Sequence, residues 1–341
     1  MPRTRAAALG ALLTACALVP ALVSSPYLLH LFILLFLTIL LGESWNIIGG
    51  FGGQYSVGHA AYFGVGAYAS MILLRDHQIA PWFGVWVGMA IAVAVALIIG
   101  SICFRLRGPY FVLASIAVAE IMRLAALNWK GLTNGAEGIL AEVPPLDLGP
   151  LHLEFTGKVP YYYMGLGLAA MGVVANALVR RAKLGYYLQA IREDQDAAHS
   201  LGIPITRTKN TGLAISAALT ALGGGFSALY TGFIDPPGVL GIDVSVQVVL
   251  VCIIGGIGTV AGPVLGALVL VVLSEALRSN LIASALFAVG VPEASGAGHF
   301  LKDNLAHAHV LVYGILVVVV ILFMPDGVLG FVRGKLARRR L

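Results

Sequence analysis

Apolar stretches of membrane-spanning length recur along the whole chain: residues 6–23, 27–48, 55–74, 81–104, 109–127, 161–179, 211–231, 243–258, 262–281 and 309–331. A hydrocarbon core about 30 Å thick takes roughly 20 residues of helix to cross. Lipid offers no partner for backbone N–H and C=O groups, so an open chain of this kind closes those bonds within helices. The pattern predicts an all-α polytopic membrane protein with about 8–10 transmembrane or half-membrane helices. Composition agrees: 59% of residues are hydrophobic and 11% charged, against about 25% charged in a soluble domain. Mean hydropathy is +0.93. Cys16, Cys103 and Cys252 each lie inside an apolar stretch without ligand spacing, which points to packing rather than a disulfide framework or a metal site.

Charge orients the segments. With the N-terminus in the cytoplasm and alternating crossings, 15 of the 21 Lys and Arg residues fall inside, among them Arg105, Arg107, the 180–209 stretch and Arg333–Arg340. The positive-inside rule asks for this asymmetry, so the net charge of +5 is read as topology and not as a nucleic-acid footprint. Both termini are then cytoplasmic, and the polar loop 128–160 and the 282–308 connection lie outside. The 332–341 tail is a basic cytoplasmic segment, either a topology anchor or a contact for anionic lipid. Arg3 and Arg5 ahead of residues 6–23 fit a signal peptide or, as the following spans favour, a retained N-terminal transmembrane helix over 1–26.

One internal polar stretch stands apart: RRAKLGYYLQAIREDQDAAHSLGIPITRTK, residues 180–209. Ala190, Ile191, Asp194, Ala197, Ala198 and Leu201 recur at three- and four-residue steps, as one side of a short helix would. Gly202 and Pro204 supply its stop. It reads either as a solvated cytoplasmic loop that happens to be helical or as a coupling helix that fits a groove on a separate motor protein.

Glycine and polar residues inside apolar sequence mark a second region. Residues 47–52 (IIGGFG) and 253–258 (IIGGIG) agree at five of six positions, a possible internal repeat of parallel sense, with chance as the alternative where Gly and Ile are abundant. Gly49, Gly50, Gly52, Gly53 and Gly58, with Gly255, Gly256 and Gly258, are expected where backbone leaves the helix or helices approach closely. Glu43, Asn46, Gln54, Ser56, His59 and Glu120 are the candidates for a polar pathway, because such groups are costly at membrane depth. Each taken singly also fits an interhelical hydrogen bond, and Glu120 can pair with Arg123 one turn away. The turn-rich segment GLTNGAEGI at 131–139 reads as an external loop.

Enzymatic signatures are missing: there is no phosphate-cradling G-x-x-x-x-G-K-[ST], no H-E-x-x-H and no C-x-x-C. His299, His307 and His309, with Glu293 and Asp303, match no standard ligand spacing. No catalytic or metal site is expected, and ATP-driven work would require an ATPase on another chain.

Five stretches, in order, resemble one family: GESWNIIGGFGGQYSVGHAAYFGVGAYAS at 42–70, RLRGPYFVLASIAVAEIMRLAALNWKGLTNGAEGI at 105–139, LGYYLQAIREDQDAAHSLGIPITRTK at 184–209, IIGGIGTVAGPVLGALVLVVLSEALR at 253–278 and, more weakly, MPDGVLGF at 324–331. They are similar to the permease subunits of bacterial ABC importers for branched-chain amino acids, specifically the M-type member of the pair; related permeases serve urea, amides and aromatic acids. The resemblance implies a permease domain over 27–331 in the bacterial inner membrane. It implies an H-type permease as heterodimer partner, two ATPase subunits that bind ATP and Mg, and a periplasmic substrate-binding protein. It also makes 180–209 the ATPase-coupling loop, with Ala190, Ile191, Arg192, Glu193, Asp194, Ala198, Leu201 and Gly202 as its coupling residues. Tyr186, Tyr187 and Gln189 depart from the usual small or basic residues, and the 282–308 connection is unusually long. Two readings of the residues remain beside it: a self-sufficient secondary transporter or channel, and a membrane-embedded enzyme.

Overall fold

The computed structural model describes residues 14–22, 25–79, 81–106, 108–141, 146–148, 151–153, 157–278, 314–315, 318, 322 and 327–330. The 282–308 connection with its histidines, the 332–341 tail and most of 309–331 lie outside the described residues. Six described helices are long and apolar enough to cross a membrane, and the chain is an all-α polytopic membrane protein. The described residues divide into two compact units, on either side of Val249 and Leu250.

The first unit opens with helical residues 14–22, α1, whose Cys16 and Ala17 carbonyls accept hydrogen bonds from the Tyr162 and Tyr163 hydroxyls at 2.6 and 3.1 Å. Then come α2 (Pro26–Trp45), α3 (His59–His77), α4 (Pro81–Cys103), α5 (Pro109–Asn128), the single turn α6 (Lys130–Thr133), α7 (Lys158–Arg181), α8 (Lys183–Glu193), α9 (Gln195–Ser200), α10 (Ile205–Thr231) and α11 (Pro236–Leu240). α12 (Ile242–Gly255) leads into the second unit, which holds α13 (Gly262–Arg278).

α10 is the hub, packing along α3, α4 and α2, while α2 also packs along α7. The apolar windows of α10 and α2 are 78% and 72% buried, against 22% for α4 and α5. Missing side chains make this crossing close: a Cβ on Gly66 would overlap the Ala221 carbonyl, and one on Gly224 the Phe63 carbonyl. Hydrophobicity does not drive helices together in lipid, so close van der Waals approach at small residues has to. In the second unit a Cβ on Gly255 would overlap the Gly262 carbonyl, and one on Gly266 the Val251 carbonyl, closing α12 on α13.

Two boundaries and one loop depart most from the sequence expectation. The 27–48 segment does not stop: α2 runs into a six-residue π-helical turn over Asn46–Phe51, entirely buried. α10 starts at Ile205, six residues before the apolar run, because Pro204 sets a helix start and the polar first turn is still helical. The 128–160 loop is not featureless. Ile139–Leu140 (β1) pairs antiparallel with Phe233–Ile234 (β4), and Leu146–Leu148 (β2) with Leu151–Leu153 (β3). The GLTNGAEGI segment folds back through Thr133, whose Oγ1 donates to the Ala126 carbonyl at 2.6 Å, and Asn134, whose Nδ2 donates to the Gly138 carbonyl at 2.8 Å.

Candidate functional site

α2 ends in the buried π-helical turn Asn46–Phe51. A π-turn widens the helix by one residue and is most common at functional positions. Here Trp45 and Gly49 fit together to make it: a Cβ on Gly49 would overlap the Trp45 indole. The indole is fully buried and its Nε1 donates to the Ser56 carbonyl at 2.7 Å. Gly53 turns the chain with φ +62, the left-handed region that favours glycine. The 54–58 loop that follows and the first turn of α3 are each tied to another helix. Ser115 Oγ on α5 accepts from Val57 N at 3.0 Å, and Ser245 Oγ on α12 accepts from Ala60 N at 2.8 Å.

Around this turn the structure gathers most of the predicted polar residues. Glu43, Asn46 and His59 are fully buried and Ser56 nearly so. His59 Nε2 lies 2.8 Å from Ser216 Oγ on α10, and that hydroxyl donates to the Ser44 carbonyl at 2.7 Å. Ser44 Oγ in turn lies 2.9 Å from Thr220 Oγ1, one turn further along α10. Asn176 on α7 donates from Nδ2 to the Glu43 carbonyl at 3.0 Å. Both Glu43 carboxyl oxygens, Asn176 Oδ1 and His59 Nδ1 are buried with no hydrogen bond of normal geometry among the described residues. Buried polar groups are nearly always paired, so this node holds unmet hydrogen-bonding capacity where α2, α3, α7 and α10 meet. Gln54 caps locally instead, donating from Nε2 to the Gly52 carbonyl at 3.2 Å.

Glu120 stands elsewhere. It sits on the exposed side of α5 with its carboxylate closed on Arg123, at 2.9 Å from Nε and 2.5 Å from Nη2. The one-turn spacing that let the sequence pair them is what satisfies both.

Between α7 and α10 the 180–209 stretch forms two short helices, α8 and α9, where the spacing of residues 190–201 predicted one. Asp194 takes an extended conformation (φ −152, ψ 113), and its Oδ1 accepts from Asp196 N and Ala197 N, both at 2.9 Å. That is an N-cap, and an N-cap residue cannot also be helix interior. The break changes the register. Ile191, Ala198 and Ile203 make a small core with Tyr187, Ala190 and Ile205, while Leu201 turns outward at 82% exposure. Leu201 therefore leaves the stripe to which the spacing assigned it. Gly202 ends α9 at φ +80 as expected. Tyr186 is 65% exposed, and Lys183 Nζ lies over the Tyr187 ring at 5.2 Å.

Arg192 and Glu193 part company: Glu193 points outward, whereas Arg192 Nη1 reaches in to the Gly50 carbonyl at 2.8 Å. Lys209 was missed in the sequence as anything but a topology charge. It is 1% exposed, donates to Gln195 Oε1 at 2.8 Å and lies over the Phe104 ring at 5.7 Å. Asn176, Ser216 and Thr220 were also missed; an Asn in the 161–179 run and a Ser and Thr four apart in 211–231 were the available signals.

The predicted glycines act in different ways. Gly50 supplies the carbonyl for Arg192, Gly52 leaves room for Leu188, and Gly58 lies against the Ser115 carbonyl. In the second unit, Gly256 and Gly258 have φ +121 and +75 in the turn after α12, and Gly327 packs its backbone on Gly255 and Gly256. Both IIGG segments, at 47–50 and 253–256, thus run into a glycine turn that ends a helix. Among the described residues no three His, Cys, Asp or Glu side chains group to hold a metal ion.

The chain is 27% identical over 261 residues to the high-affinity branched-chain amino acid transport system permease protein LivM of Escherichia coli (strain K12), and 28% identical to LivM of Salmonella typhimurium. Each alignment covers 70% of this chain and 61% of the relative, so the match spans about three fifths of those proteins. The permease protein LivH of Salmonella typhimurium is 23% identical over 308 residues, covering 85% of this chain and 90% of LivH. No solved structure matches the chain. The sequence profile of one family matches residues 27–323, and the chain therefore belongs to the branched-chain amino acid transport system / permease component family.

Proposed function

We propose that this chain is a permease subunit of an ATP-binding-cassette importer in the bacterial inner membrane. It forms half of the pathway for branched-chain amino acids or a similar small polar solute, with urea, short amides and aromatic acids as the alternative cargoes. An H-type permease completes the pathway, two ATPase subunits bind ATP and Mg on the cytoplasmic face, and a periplasmic protein delivers the solute. The chain itself catalyses nothing. Nucleotide-driven closure of the motor dimer would bias one facing of the pathway, acting through a difference in affinity for the two states.

The observation that carries the reading is the α8–α9 pair. It lies between two membrane-length helices and has its own small core. Outward it presents Tyr186, Glu193 and Leu201. A polar loop has no need of a core, whereas a docking element has to keep its shape under load. The secondary-transporter reading needs an ion-coupling cluster. Among the described residues the buried carboxylate, imidazole and ammonium side chains are Glu43, His59 and Lys209, and Lys209 is engaged with Gln195 in the proposed coupling segment.

Co-purification through a tag on this chain from native membrane tests the proposal. Recovery of a second permease and an ATPase is the expected result; a chain that purifies alone would contradict it.

A further inference from the structure

Arg192 sits in the stretch that docks the motor under the proposed function, yet its guanidinium faces the membrane domain. Nη1 donates to the Gly50 carbonyl at 2.8 Å, across 142 residues of sequence. Gly50 is in the π-helical turn Asn46–Phe51 that ends the helix begun by α2, where carbonyls run out of partners further along the helix, and a cation at a helix C-terminus is also favoured by the macrodipole. Arg192 is therefore a C-cap of α2 supplied by another element.

One turn earlier on the same face of α8, Leu188 is fully buried. Its methyl groups occupy space that side chains at Gly52 and Gly212 would need: Cβ atoms there would lie 3.2 Å from Leu188 Cδ2 and Cδ1. A Cβ on Gly53 would come within 2.8 Å of Arg192 Cγ. Leu188 and Arg192 are four residues apart and so share a helix face. Together they seat α8 on the exit of the π-turn. The other end of that turn joins Glu43, Ser44 and the Ser216–His59 node. The neighbouring Glu193 carboxylate reaches Arg192 Nε only at 3.8 Å with both groups partly exposed, so it does not compete for the guanidinium.

We propose that Arg192 is a positioning residue that couples α8 to the π-helical end of α2, so that displacement of the docking segment moves the 46–53 turn and the polar node as one body. The inference rests on the ATP-driven reading for its functional consequence, but not for its structural one. A strut of this kind makes the π-turn, rather than the outer surface of α8, the place where Arg192 matters.

The test uses the complex co-purified from native membrane with wild-type chain, Arg192→Ala and Arg192→Lys. Amide exchange in residues 48–54 is expected to speed up at least tenfold in Arg192→Ala, with α7 unchanged, and to return toward wild type in Arg192→Lys, which restores a charged donor. In the same preparations the ATPase subunit should stay bound, while ATP-driven uptake of radiolabelled leucine into liposomes falls about tenfold. Unchanged exchange at 48–54, or loss of the ATPase subunit from Arg192→Ala, would overturn the inference, the latter by making Arg192 a docking residue. If wild-type chain brings down no ATPase, the importer reading fails, and exchange at 48–54 alone still decides whether Arg192 holds the turn. Gly53→Ala, whose added Cβ would crowd Arg192 Cγ and displace α8 while the guanidinium is kept, is a second variant: exchange at 48–54 is expected to rise in it as well, and unchanged exchange there would overturn the seat.

Discussion

Single residues decide whether the central crossing can form. Gly224 on α10 faces the Phe63 carbonyl so closely that a methyl group has no room, whereas Gly167 on α7 has nothing within 4 Å of its added Cβ. Gly224→Ala is therefore expected to cost about 1–3 kcal/mol or more through forced separation of α3 and α10. Gly167→Ala should be neutral or stabilising by up to about 1 kcal/mol, since it only removes backbone freedom from a helix interior. Thermal melts of the detergent-solubilised chain would rank the two, and equal melting temperatures would contradict the packing described. At Asp194 the capping carboxylate gives a second residue-scale expectation: Asp194→Ala should cost about 1 kcal/mol of local stability, and Asp194→Asn much less, because Asn caps nearly as well. Faster amide exchange at residues 195–198 in the Ala variant alone is the signature. The sequence carried the identity of this residue but not its job. Its three- and four-residue spacing to Ile191, Ala197 and Ala198 fits one helix, and only the competition between an Asp side chain and the helical backbone for the same N–H groups breaks that helix in two.

Among elements, α5 presents the sharpest contrast between what its sequence states and what it leaves open. Its apolar length and its Glu120–Arg123 spacing both gave the correct local picture, and the structure closes the pair on itself. Neutralising one partner leaves the other charged on an apolar, membrane-length helix, so Glu120→Gln and Arg123→Leu singly should each lower the yield of folded protein. The double variant should recover most of it, a coupling that a double-mutant cycle reads directly; additive losses would show that the pair is not the unit that matters. The α2 π-turn was not legible in this way. Residues 47–53 read as a glycine cluster at which helix could end, but a wide turn depends on Gly49 accommodating the Trp45 ring, a contact within one element that spacing alone does not reveal. The 180–209 segment was half legible. Its stop at Gly202 and the inward Ile191 and Ala198 were expected, while the inward reach of Arg192 and the outward turn of Leu201 depended on the break at Asp194.

At the scale of the whole molecule, periodicity and length were enough for the class. The apolar stretches became helices because lipid leaves the backbone no other partner. Which helices lie inside was less accessible: α10 and α2 are less apolar than the outer α4, and what centres α10 is its run of small residues, Gly223, Gly224 and Gly225, facing α2, α3 and α4. The polar cluster was legible as a set of costly residues, except that its partners on α7 and α10, Asn176 and Ser216, are far away in sequence and became visible only when the helices met. The account as a whole claims that this chain converts work done on the α8–α9 pair into movement of a solute pathway. Its most direct test is leucine uptake by liposomes containing the complex co-purified with this chain, measured with ATP and with a non-hydrolysable analogue inside the compartment that α8 and α9 face. The account predicts uptake with ATP, none with the analogue, and none from the chain reconstituted alone. Leucine movement by the isolated chain without nucleotide would contradict it.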